Sequence, residues 1–304
     1  MTTQPINIRA LGTEGRNSAT TNIDLLPTLE MVKLLNDQNR VLADAVEEQA
    51  EQIAKAVDVI TERMRQGGRL IYIGAGTSGR MGVLDASEVP PTFSVAAEKV
   101  VGLIAGGEPA IRSTAEGAED DLQGGVAQLK ELGLTKDDVL VAIAASGRTP
   151  YAIGALDYAH DLGAATISVV NNKNSEMGKH SDIAIEVAVG PEALTGSTRL
   201  KSGTAQKLVI NILSTATMIQ QGKTYGNLMV DVKASNAKLY ARSLNILREL
   251  FPDLPAEKRE EVLQAADGSV KLAAVMLAKS IPAQEARAEL ERNQGSLRRV
   301  FGEA

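Results

Sequence analysis

The sequence predicts an α/β protein: a doubly wound, mostly parallel five-stranded sheet flanked by helices, with N-terminal helices before it and a small three-helix C-terminal domain after it. Three observations predict this. Short β-branched runs alternate with helical stretches through the middle of the chain, and strands alternating with helices imply parallel strands joined by right-handed crossovers. Several of the runs are apolar throughout, as strands covered on both faces must be. Helical spacing of apolar residues marks the segments before and after them.

Taken in order, residues 1 to about 22 are polar and rich in Gly, Asn and Thr, which reads as an extended arm. Asp24 is placed to cap the first helix. Leu29, Val32 and Leu35, then Val46, Ile53, Val57, Ile60 and Met64, recur at helical spacing, so two helices are expected over residues 28–66, with Gly67-Gly68 stopping the second. The strands are RLIYIG (69–74), KVVGLIAG (99–106), DVLVAIAAS (138–146), ATISVVN (165–171) and IAIEVAV (183–189), with helical stretches such as 124–133 and 151–163 between them. Residues 201–222, KSGTAQKLVINILSTATMIQQG, form a long apolar helix suited to the domain interior or a subunit interface. From about 253, EKREEVLQAA, SVKLAAVMLAKS and AQEARAELER are three short helical patterns, separated by Asp267-Gly268 and Ile281-Pro282. The expected domains are 1–66 (arm and helices), 67–235 (sheet domain) and 236–304 (helical domain).

Composition narrows the function. The 304 residues are 44 % hydrophobic and 23 % charged, ordinary for a globular chain. Aromatics are only 3 %, without Trp, so Leu, Ile, Val, Ala and Met must build the core. The net charge of -6 argues against a nucleic-acid partner. A small anion remains admissible, because backbone N–H groups at a helix start supply local positive potential. With no cysteine, disulfides, thiol nucleophiles and Cys-ligated metals are excluded. Two histidines, His160 and His180, make a His-rich metal site unexpected. Apolar stretches are too short and interrupted to span a bilayer, and the first twenty residues lack a signal peptide's apolar region. A cytoplasmic protein is the expectation.

The first strand runs into Gly74-Ala75-Gly76-Thr77-Ser78-Gly79-Arg80, a literal G-x-G-x-x-G. A dinucleotide site also wants an acidic residue at the end of the second strand, and Glu108 keeps that reading open. A second loop weakens it: strand 138–145 enters Ser146-Gly147-Arg148-Thr149-Pro150, so Ser-Gly-Arg occurs twice between a strand and a helix. A third loop, Thr195-Gly196-Ser197-Thr198-Arg199-Leu200-Lys201, precedes the long helix. Glycine lets the backbone approach, and hydroxyls and N–H groups donate to oxygens, so such loops suit one compact phosphate. For any single loop, Ser and Thr serving only as helix caps is an equal reading; three loops on one sheet edge favour a ligand site. Two acidic stretches lie nearby, LDASEVPPT (84–92) and AEGAEDD (115–121). Glu88 lies in a helical turn that Pro90-Pro91 ends soon after. A carboxylate beside a phosphate site is unfavourable unless it has a task; a cap or an ion pair is the alternative, and spacing does not decide. Glu116, Glu119, Asp120 and Asp121 read mostly as a solvated face.

GAGTSGRMGVLDASEVPPTF, GLIAGGEPAIRSTAEGAEDD, AIAASGRTPY, TGSTRLKSGTAQKLVINILST, YGNLMVDV and the arm TEGRNSATTNID together resemble the N-acetylmuramic acid 6-phosphate etherases over nearly the whole chain. The central domain resembles the sugar isomerase (SIS) fold, which binds phosphosugars and also occurs in the glucokinase regulatory protein. The resemblance implies cleavage of the D-lactyl ether at C3 of N-acetylmuramic acid 6-phosphate, by elimination and hydration of the open-chain aldehyde, to N-acetylglucosamine 6-phosphate and D-lactate. By motif, Glu88 resembles the acid that protonates the departing lactate oxygen. Glu119 resembles the partner that handles the C2 proton or the water; which glutamate takes that proton stays open. Ser78 and Gly79 are implied at the 6-phosphate, with Ser146, Gly147 and Thr149 of the second loop and Ser197 of the third. Other SIS proteins commonly carry Ser-x-Ser-Gly-x-Thr in that second loop, and Ala144 stands at its first serine here. Arg80, Arg148 and Lys201 are implied at the phosphate, at the lactyl carboxylate or in structural ion pairs. No metal or redox cofactor is needed. The partner is the small-molecule substrate, with neither nucleic acid nor membrane, and a homodimer is expected. The competing readings are a phosphosugar isomerase and a non-catalytic sugar-phosphate sensor; a sensor should lack one glutamate or add a partner-binding domain.

Overall fold

The computed structural model of the chain describes residues 12–232 and 236–303. Two compact units are present. Residues up to Ala86 with Glu98–Ser214 form the first, and Ser87–Ala97 with the residues from Thr215 onward form the second.

The first unit holds the sheet. Its strands are β1 Leu70–Gly74, β2 Val100–Ile104, β3 Val139–Ala144, β4 Ala165–Val170 and β5 Ile183–Glu186. They pair in the order β2-β1-β3-β4-β5, every pairing parallel. Gly74 stands opposite Ile104 on one side and Ile143 on the other, so three strands end level. Strand order reverses between β1 and β3, which opens a crevice beyond their carboxyl ends. Every residue of β1 and β3 is buried, as their unbroken apolar runs require.

The helices reaching into this unit are α1 Thr28–Asp37, α2 Leu42–Glu47, α3 Ala50–Arg65, α4 Gly76–Phe93, α5 Pro109–Arg112, α6 Leu122–Leu132, α7 Pro150–Leu162, α8 Glu176–Lys179 and α9 Lys201–Gln220. One face of the sheet, Ile71, Ile73, Leu140 and Ala142, packs with Leu129 of α6 and Ala152, Ala155, Leu156 and Ala159 of α7. Each large apolar side chain removed from water there contributes roughly 1.5–3 kcal/mol. Tyr72, on the other face, is fully buried and donates to Asp85 Oδ2 at 3.0 Å. Burial first, and the Asp85 charge second, push its pKa far up, so it remains a phenol. At the strands' amino ends Asp138 accepts from the Arg69 backbone and guanidinium and from Thr135, tying β1 to β3.

Four details depart from the sequence reading. Residues 28–66 make three helices, not two, because the expected second helix is interrupted at Gln49, whose backbone leaves the helical region and whose N–H turns back to Val46 O at 2.9 Å. The described part of the arm forms short 3-10 turns, Gly12–Glu14, Ser18–Thr20 and Ile23–Leu25, rather than extended chain, while residues 1–11 lie outside the described residues. Thr13 is buried there against Asn172. Asp24 does not cap α1: it sits inside the last 3-10 turn, and Pro27, whose ring presets the backbone, stands at the N-cap. Finally, α4 continues through Pro90 and Pro91 to Phe93. Those prolines fall in its last turns, so only the end of the helix loses N–H donors, and the Thr92 hydroxyl donates to Glu88 O at 2.7 Å.

The second unit contains α10 Ala237–Leu250, α11 Ala256–Ala265, α12 Val270–Lys279, α13 Ala283–Arg292 and α14 Leu297–Phe301. The three expected helices are α11 to α13; α10 and the short α14 flank them. Val230, Leu247, Leu263, Leu272, Val275 and Leu297 form its core. Asn236, Ser269 and Ser296 cap α10, α12 and α14 by accepting from backbone N–H groups.

Candidate active site

The crevice at the strand-order reversal is lined by the first two of the three loops singled out in the sequence. In the first, β1 turns into α4 so sharply that a Cβ at Gly79 would sit 2.5 Å from Gly74 O. Only glycine fits, and the first-turn N–H groups of α4 are thereby set at the end of β1. Ser78 is buried and its hydroxyl donates to Gln206 Oε1 at 2.9 Å. Arg80 is half-buried and donates to the carbonyls of Ala110, Ile111 and Ser113 at 2.7, 2.9 and 3.1 Å.

The second loop leaves β3 and enters α7. Gly147 has φ +70°, and a Cβ there would lie 2.6 Å from Ser175 Cβ. Ser146 Oγ accepts from Arg148 N at 3.3 Å, and Arg148 is exposed. Thr149 occupies the N-cap of α7, yet its side chain makes no capping bond. The simple cap explanation therefore fails at this helix. Asn172 holds the loop from behind, donating to Ala145 O at 3.0 Å.

The third loop is built differently. Glu192, fully buried, fills the N-terminus of α9: it accepts from Lys201 N, Ser202 N and Ser202 Oγ at 2.8, 2.9 and 2.9 Å. The dipole of α9 is thus already met by a carboxylate of the chain. Lys201 is buried and its ammonium donates to Val189 O at 2.8 Å. Burial lowers its pKa, and the charge of Glu192 acts against that lowering. Ser197 lies half-buried in the turn before.

Glu119 belongs to a 3-10 turn, Ala118–Asp120, and is exposed. Ala118 beside it packs, with Ala75 and Ala105, on the core under the crevice. Asp121 has a separate job, capping α6 through Gln123 N at 3.0 Å. Ser78, Gly79, Ser146, Gly147, Thr149 and Glu119 therefore all stand on the carboxyl-end rim of the first unit. Glu88 is exposed on α4 and belongs to the second unit. Glu108 is an exposed N-cap of the four-residue α5. Residues not singled out from sequence are Gln206, Asn171 and Glu192; the signal for Gln206 was a polar side chain inside an apolar helix. Among the described residues, no group of three or more His, Asp or Glu is arranged to hold a metal ion.

Three family models match: the glucokinase regulatory protein N-terminal SIS domain over residues 52–160, the SIS domain over 121–216, and the C-terminal lid domain of glucokinase regulatory protein over 226–294. An N-acetylmuramic acid 6-phosphate etherase of Clostridium beijerinckii is 51 % identical over 300 residues, covering 99 % of this chain and 98 % of that protein. One from Vibrio campbellii is 54 % identical over 290 residues, covering 95 % and 94 %. Among solved structures, a putative phosphosugar isomerase involved in capsule formation from Bacteroides fragilis matches with TM-score 0.50 at 24 % identity, over 64 % of this chain and 91 % of that one. That last likeness concerns the fold.

Proposed function

The chain belongs to the N-acetylmuramic acid 6-phosphate etherase family, and from that premise we propose how its residues carry the reaction. It is an enzyme that cleaves the D-lactyl ether of N-acetylmuramic acid 6-phosphate in amino-sugar recycling. The observation that supports the site is the crevice between β1 and β3, where two loops present N–H groups and hydroxyls at the strand-order reversal.

In this reading the 6-phosphate lies against the first turn of α4 and the second loop, received by N–H groups, that of Ser78 among them, and by the hydroxyls of Ser146 and Thr149. Ser197 borders the same ligand. Arg148, exposed, meets an anionic end of the substrate. Arg80 and Lys201 reach it by exchanging a carbonyl partner for an anionic oxygen, an exchange that charge favours. The aldehyde at C1 makes the C2 hydrogen removable, and Glu119, on the same rim, takes that proton or directs the water. Glu88 protonates the C3 ether oxygen as lactate departs, since an alkoxide is a poor leaving group. Water then adds at C3 of the unsaturated aldehyde. A positioned acid or base contributes on the order of 10²–10⁴-fold.

Ser78 and Glu88 stand ten residues apart on one helix, about 15 Å along its axis. A hexosamine does not span that distance from its phosphate to C3. We therefore assign Glu88 to the site of a second copy, in a homodimer. Exposed apolar surface supports pairing: α1 has no buried residue and displays Leu29 and Val32, 66 % and 56 % exposed, and α9 displays Leu208 and Ile212. No helix among the described residues is long and apolar enough to cross a membrane. We place the reaction in the cytoplasm, because a phosphorylated sugar crosses a bilayer only at high cost.

The test is incubation with N-acetylmuramic acid 6-phosphate and an assay for free D-lactate. Glu88→Gln should fold and bind the sugar product but lose at least about 10²-fold in lactate release. No lactate from the folded wild type would overturn the activity, and substantial turnover by the variant would remove Glu88 as the acid.

A further inference from the structure

Behind the first loop runs a buried chain of polar side chains. The Val187 carbonyl, which only accepts, receives Asn171 Nδ2 at 3.1 Å. That orients the Asn171 amide, so its Oδ1 accepts from Gln206 Nε2 at 2.9 Å. Gln206 in turn offers Oε1 to the Ser78 hydroxyl at 2.9 Å. Ser78, Asn171 and Gln206 are 7 %, 2 % and 1 % exposed. Direction is thus fixed from a backbone carbonyl after β5, through the residue after β4 and the second turn of α9, to the first turn of α4.

We propose that Gln206 is a positioning residue for the phosphate-binding loop, holding Ser78 and the first turn of α4 in their ligand-ready place; this rests on the reading of that loop as the substrate site. Gly74, Gly76 and Gly79 give the loop its tight turn but also many alternative backbone conformations. A loop of that kind binds well only when something outside it limits those alternatives. Gln206 does so through Ser78, the one side chain of the turn that is both polar and buried. Its own orientation is in turn set by Asn171. Losing the amide would leave the Ser78 hydroxyl and Asn171 Oδ1 buried without their partners, and the turn would relax.

Two variants test this, with binding of N-acetylglucosamine 6-phosphate and steady-state kinetics as readouts. Gln206→Met keeps the volume and removes both hydrogen bonds. It should weaken product binding and raise KM about tenfold while kcat stays within about twofold. Gln206→Glu has a second signature. Protonated, its carboxyl accepts from Ser78 and donates to Asn171; ionised, it cannot donate. Its affinity relative to wild type at the same pH should be near one at low pH and fall as pH rises through a carboxyl pKa that burial raises. If Gln206→Met does not fold, this ratio decides alone. Wild-type affinity in the folded Met variant, a pH-independent ratio in the Glu variant, or a fall in kcat at unchanged KM would each overturn the proposal. A wild-type protein that binds no sugar phosphate would instead end the functional reading, and this inference with it.

Discussion

Asp138 illustrates how much one residue decides. Five donors converge on its carboxylate, from Arg69 and Thr135, and the side chain is almost wholly buried. Burial alone would raise its pKa, but the Arg69 hydrogen bonds and charge and the Thr135 N–H outweigh it, and the pKa falls below the usual carboxylate value. A depressed folded-state pKa stabilises the protein fully above the unfolded value. That contribution is lost as pH falls through the folded one. Asp138→Asn should therefore cost about 3 kcal/mol near neutrality, by leaving Arg69 without its counter-charge. Its penalty should shrink in strong acid. Urea denaturation at several pH values checks both; an equal penalty at all pH values would remove the charge argument. The residue scale also separates Asp121 from its acidic neighbours, since it caps α6.

At the element scale, α9 shows what a long apolar run does not reveal. Its start is set by Glu192, nine residues upstream of Lys201, whose carboxylate replaces the missing first-turn acceptors. Glu192→Ala removes a buried cap and a favourable charge at the helix dipole and strands buried Lys201. It should destabilise the protein by about 2–3 kcal/mol, measurable by chemical denaturation. A loss under about 0.5 kcal/mol would show that water replaces the carboxylate adequately. The turn into α7 shows the converse. Gly147, at φ +70° and packed on Ser175, was legible as a loop glycine, whereas Thr149's lack of a capping bond was not.

At the scale of the whole molecule, the proposed pairing of copies has a direct consequence. If Glu88 of one copy serves the site containing Glu119 of the other, neither Glu88→Gln nor Glu119→Gln alone is active. Hybrids then regain one intact site of two. Random mixing of the two inactive variants should restore about a quarter of wild-type lactate release, half the dimers being hybrids. Sedimentation should show the dimer itself. No recovery on mixing, with exchange of subunits demonstrated, would place both glutamates in one chain's own site.

The sequence by itself determined the parallel sheet and its five strands, because apolar runs without alternation are buried on both faces. It also determined the glycine-rich turns and the family, through motifs spread along the chain. Tertiary structure decided which strands are neighbours, and hence that the first and second loops flank one crevice while the start of α9 is filled by Glu192. It also brought Ser78, Gln206 and Asn171 into one chain of hydrogen bonds. Periodicity records which face of an element is buried; which distant polar atoms meet there depends on crossover geometry, and local spacing carries no trace of that.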